Sequence, residues 1–212
     1  MADKERVTRA PSRPDGAAAA PSRRAALAVL AWWAWAMAEV SVVLFVVYRH
    51  RFSPWGLVGA QVLAYAVLVA PVVALRRPVQ EPAGRRRRLA AAAAGAAVLL
   101  AAVLIVAAGH PAGYTARQVI RLTATGVGEE VLWRGAVWTS LARLGLRLPA
   151  LVTADVILFV SWHVPSVLAG DSTWSGLPAV AALGLVFCLA RAASRRVELP
   201  ALLHIAADLL GT

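Results

Sequence analysis

The sequence predicts an all-α fold: a polytopic membrane helical bundle of about seven transmembrane or membrane-embedded helices. Three observations predict it. The 212 residues are 60% hydrophobic, with a mean hydropathy of +0.67, above the ~45–50% apolar content of a soluble domain. The apolar residues come in blocks of about 20 with few charges, the length that crosses a ~30 Å hydrocarbon core at ~1.5 Å per helical residue. The blocks are rich in Ala, Leu and Val and show no alternation of period two. That favours helices over a closed barrel, the other structure that satisfies a backbone in lipid.

Taken in order, residues 1–22 are polar, charged and rich in Ala, Pro and Ser, the composition of a disordered tail. No cleavage site ends the long apolar block that follows, which argues against a signal peptide. The blocks then run over 26–48, 55–75, 89–108, 117–141, 148–168, 176–191 and 197–211. Pro54, Pro78, Pro111, Pro149 and Pro178 stand at or near their ends, where a residue without an N–H is tolerated. The fourth block is unusual in holding Arg117, Arg121, Glu129, Glu130 and Arg134. The seventh is short, so it starts earlier, near Arg195, or packs inside the bundle. The expected organisation is a cytoplasmic tail over 1–22, about three N-terminal transmembrane helices over 23–116, and a functional core over 117–212.

Charge sets the orientation. With the N-terminus cytoplasmic, 17 of the 22 Lys and Arg residues fall on the cytoplasmic side and four on the other, with Arg134 inside the membrane. The positive-inside rule selects that arrangement in a multi-pass cell-membrane protein. It also explains the net charge of +11 without nucleic acid. The Arg85–Arg88 run is a topology signal that also suits anionic lipid. Cys188 is the only cysteine, so no disulfide forms within the chain. The Ala- and Arg-rich composition suits a bacterium with GC-rich DNA.

The ionisable residues inside the apolar blocks are Glu39, Glu129, Glu130, Arg134, Asp155, His163, His204 and Asp208. Facing lipid, this set would cost roughly 20 kcal/mol at ~2.5–3.5 kcal/mol each, so the groups must face one another or a wet cavity. Glu130 and Arg134 are four apart, as are His204 and Asp208, so each pair shares a helix face. Asp155, Phe159 and His163 form one stripe. Carboxylates and imidazoles on three helices are the set that activates a water: a carboxylate as general base, with His orienting. The same set binds zinc through nitrogen and oxygen. Asp155 is expected near the cytoplasmic end of its helix as a solvated, helix-start acid. Glu39 is expected to be structural. Trp133 and Trp162 flank these residues and are expected to wall the site. Gly126 and Gly128 either let another helix approach or loosen their own.

At these residues the sequence resembles the CPBP intramembrane proteases, also called the ABI or CAAX-protease family, which includes the prenyl-protein endopeptidase. Three motifs carry the resemblance: EEVLWR from Glu129 to Arg134, FVSWH from Phe159 to His163, and HIAAD from His204 to Asp208. They match that family's Glu-Glu-x-x-x-Arg, Phe-x-x-x-His and His-x-x-x-Asn/Asp in order and context, over residues 117–211. The resemblance implies an intramembrane endopeptidase acting on a membrane protein or peptide in the bilayer. It implies that Glu129 is the base that activates water, aided by His163. His204 and Asp208 would stabilise the oxyanion or hold water or metal, and Glu130 and Arg134 would shape the site. Zinc on Glu129, His163 and His204 and a metal-free glutamate mechanism both remain open. Asp208 stands where the prenyl-protein members carry Asn, and an ionised Asp cannot donate to an oxyanion, so the departure bears on the substrate more than on the reaction. The competing readings are a non-catalytic scaffold or bacteriocin-immunity protein on the same fold, and a small transporter whose acids and histidines form a relay.

Overall fold

A computed structural model describes residues 23–49, 52–75, 108–109 and 112–211. Within these residues the chain is helical and without strands. The helices are α1 (Arg23–Arg49), α2 (Pro54–Leu75), α3 (Ala112–Glu130), a π-helical stretch (Val131–Val137), α4 (Trp138–Arg143), α5 (Leu148–Leu168), a 3-10 turn (Trp174–Gly176), α6 (Leu177–Ser194) and α7 (Glu198–Gly211). The segment from α3 through the π stretch to α4 runs without a break, so the described residues make six rods. The expected third block, 89–108, lies almost wholly outside the described residues, as does the tail 1–22. The structure therefore gives six of the seven anticipated segments.

Among the described residues, four segments are long and apolar enough to cross a membrane: Arg23–Phe45, Pro54–Leu75, Leu148–Leu168 and Trp174–Ser194. Their outer faces carry Leu30, Phe45, Leu63, Ile157 and Leu189, all exposed. Apolar side chains turned outward need a solvent as apolar as they are, which lipid supplies. Inside, the pattern inverts: Glu130, Arg134 and Asp155 are each 0% exposed. Pro149 and Pro178 lie in the first turns of α5 and α6, where the missing N–H is one that a helix leaves unpaired anyway.

Tryptophans and glycines join the rods. Trp162 on α5 donates its indole N–H to the Ala36 carbonyl of α1 at 2.9 Å, and Trp33 on α1 donates to Ser161 Oγ at 3.0 Å. Trp35 donates to the Leu68 carbonyl of α2 at 3.3 Å. A Cβ on Gly126 would stand 2.7 Å from Ile205 Cγ1 on α7, and one on Gly128 would stand 2.6 Å from Tyr65 Cδ1 on α2. The two glycines thus let α7 and α2 close on α3, the first of their two anticipated roles. In the π stretch the Trp138 N–H donates to the Trp133 carbonyl, five residues back. Such wider turns recur at functional sites.

Candidate active site

Three rods bring the anticipated acids and imidazoles together. Glu129 and Glu130 end α3, and both are buried. His204, nearly two turns into α7, sits between them. Its Nδ1 is 3.0 Å from Glu130 Oε1, and its Nε2 is 3.8 Å from Glu129 Oε2 and 3.7 Å from Asp208 Oδ1. Both ring nitrogens therefore face carboxylate oxygens. Phe187 of α6 stacks on this ring with centroids 4.7 Å apart, which fixes its plane.

His163 is placed differently. Its Nδ1 donates to the Phe159 carbonyl at 2.9 Å, since a carbonyl only accepts. In the neutral ring Nε2 is then the acceptor. Phe159 lies between the two imidazoles, at 4.7 Å from His163 and 6.4 Å from His204 by ring centroid. The anticipated walls are in place: Trp162 meets the His163 ring edge-on at 5.1 Å, and Trp133 is buried against Phe159 at 5.8 Å.

Arg134, in the π stretch, holds the acids from beneath. Its Nη1 donates to Glu130 Oε1 at 3.1 Å and its Nη2 to the Gly184 carbonyl at 2.8 Å. Its Nε stands 3.6 Å from Asp155 Oδ1, an ion-pair distance beyond a good hydrogen bond. The guanidinium also lies over the Phe159 ring at 4.6 Å. Asp155 accepts from Cys188 Sγ at 3.4 Å. This overturns the expectation of a solvated acid at a helix start. Asp155 sits about two turns inside α5, whose first residue is Leu148, and the helix turns it into the bundle interior beside Arg134 and Cys188.

A cavity of about 150 Å³ opens beside Glu129, lined among others by His163, Trp162, Tyr65, Glu39, Ser166 and Asp171. At ~30 Å³ per water it has room for a few. The Tyr65 hydroxyl donates to Glu129 Oε1 at 3.1 Å. Glu129 Oε2 has no hydrogen bond. One oxygen of Glu129 thus accepts from Tyr65, and the other has no hydrogen bond, only His204 Nε2 at 3.8 Å. Sequence reasoning passed over Tyr65 and set Glu39 aside as structural. Replacing Tyr65 with Phe is expected to lower kcat about tenfold with KM little changed, because a hydrogen bond to a charged group contributes ~1.5–3 kcal/mol. Kinetics beside a thermal melt check this. An unchanged kcat in the folded variant would make Tyr65 a packing residue only.

Among the described residues no group of three or more His, Cys, Asp or Glu side chains is arranged to hold a metal ion. His204 turns both nitrogens to carboxylates, and His163 has committed Nδ1 to a backbone carbonyl.

Residues 111–210 match the family model described as type II CAAX prenyl endopeptidase Rce1-like. This is the family that the three motifs resemble, and the match covers the region that carries Glu129, His163 and His204. No curated protein and no solved structure matches the chain.

Proposed function

We propose, from the family match of residues 111–210, that the protein is an intramembrane endopeptidase in which Glu129 activates water. The carrying observation is the Glu129 carboxylate: buried, accepting from Tyr65 at Oε1, without a hydrogen bond at Oε2, where His204 Nε2 stands 3.8 Å away, and bordering a cavity shared with His163. A buried carboxylate that borders a cavity with room for water is placed to act as a general base.

Glu129 takes a proton from water as the water oxygen bonds to the scissile carbonyl carbon. The carbonyl π electrons move onto its oxygen. His163 Nε2 accepts a hydrogen bond from the same water and aims its lone pair. His204, held by Glu130 and flanked by Asp208, donates to the tetrahedral oxyanion. Collapse of that intermediate breaks the C–N bond, and Glu129 passes its proton to the departing amine. Asp208 thus acts by orienting His204, a task that an acid performs and that needs no donor on Asp208 itself. Arg134 fixes Glu130 and so acts through the ring that Glu130 holds.

This route assigns no step to a metal. Purified protein in liposomes is expected to cleave an apolar, membrane-inserted peptide at an unchanged rate after chelator treatment, with no stoichiometric zinc by elemental analysis. Activity lost with chelator and restored by zinc would replace Glu129 with a metal-bound water. A folded protein that cuts no peptide, but still confers a biological protection that His163→Ala also preserves, would favour the scaffold reading.

A further inference from the structure

The cavity has a direction. From Glu129 and His163 it extends along α5 to Ser166 and to Asp171, exposed in the turn after α5. On α2 it extends from Tyr65 back to Gln61, toward the start of that helix at Pro54. On α1 it is lined by Glu39, Val40, Val43 and Leu44, toward the end of that helix at Arg49. These helix ends lie together, because α1 and α2 form a hairpin and Arg117, near the start of α3, stacks over Trp55 at 5.9 Å.

The opposite end of the bundle collects the start of α1, the α4–α5 turn and the α6–α7 turn. It carries Arg23, Arg24, Arg143, Arg147, Arg195 and Arg196. The end that the cavity approaches carries Arg49, Arg117 and Arg121. Basic residues concentrate on the cytoplasmic side of membrane proteins.

The lining has a second property. Among the described residues it holds three carboxylates, Glu39, Glu129 and Asp171, and no Lys or Arg. A chain end bearing a free carboxylate is recognised by cations or bundled N–H donors. This mouth offers it like charge instead.

We propose, resting on the protease reading, that the cavity admits its substrate from the arginine-poor, non-cytoplasmic face. The scissile bond then lies in an outward-facing or outer-leaflet segment of a membrane protein or peptide, with neutral or basic flanking residues, and not in a cytoplasmic prenylated C-terminus.

Two measurements test this. In intact cells, a membrane-impermeant maleimide is expected to label Ser166→Cys, while Ala142→Cys, exposed beside the α4–α5 turn, reacts only after permeabilisation. The parent chain sets the background, since Cys188 is buried. Should Ser166→Cys be too enclosed to react, Asp171→Cys on the exposed turn is read the same way. Labelling of the cavity positions only after permeabilisation overturns the proposal. In the second measurement, a farnesylated peptide ending in a free carboxylate is expected to stay intact with the wild-type protein in liposomes. Its cleavage by wild type and not by Glu129→Gln overturns the substrate assignment. The labelling needs no catalysis, so a failed protease reading leaves its result unaffected and shows instead as wild-type cleavage by Glu129→Gln.

Discussion

Glu129→Gln is expected to abolish proteolysis while the protein inserts and folds as before. Gln keeps the shape, and its carbonyl oxygen still accepts the Tyr65 hydroxyl. What it lacks is a lone pair basic enough to take the proton of an attacking water. A positioned general base contributes ~10²–10⁴-fold, so the residual rate should fall by about that factor. The readout is turnover of a membrane-inserted peptide, with the thermal midpoint in detergent as control. Desolvation of the Glu129 carboxylate disappears in the variant, so its midpoint should stay level or rise. A variant that cleaves as fast as wild type would remove Glu129 from the reaction.

Arg134→Met should do the reverse and strike the fold first. The side chain is buried with its charge, and Glu130 and Asp155 are buried with it. Removing one partner of a buried ion pair costs ~3–5 kcal/mol, because the remaining charges stay desolvated. The expected outcome is a large drop in yield and thermal midpoint, with activity lost as a consequence. Lys is not expected to rescue it. The guanidinium reaches Glu130 and the Gly184 carbonyl through two different nitrogens, and a point charge on a single tip cannot span both. Wild-type melting of Arg134→Met would mean that the buried acids are neutral without it.

Much of this arrangement was legible in the sequence, and the reason is the solvent. In lipid an ionisable side chain is conspicuous against Ala, Leu and Val, so Glu129, Glu130, Arg134, His163, His204 and Asp208 stood out before any coordinates. Their four-residue spacings told which faces they share. Tyr65 did not stand out, because a tyrosine in an apolar helix is an ordinary packing residue. Its bond to Glu129 spans 64 positions, and nothing local announces it. Glu39 was noticed, but a lone acid gives no direction, and only the packing of α1 against α2 and α5 turns it toward the cavity. Asp155 was misjudged through its position near a helix start. Its place in the stripe with Phe159 and His163, which shares their helix face, was the signal that could have corrected it.

The wider turn at Val131–Val137 has one further effect. A uniformly wound helix keeps its faces in phase along its whole length. The extra residue accommodated per turn here acts as a phase slip. Before the slip the rod packs on α7 and α2, and after it on α1 and α5. Trp138 and Leu141 can therefore seal against α1 and α5 although their register differs from that of the glutamates about two turns earlier. A single continuous rod thereby serves two sets of neighbours, as a crankshaft carries throws at different angles on one axis. The acids stay locked in their bearing while the far end answers to different partners.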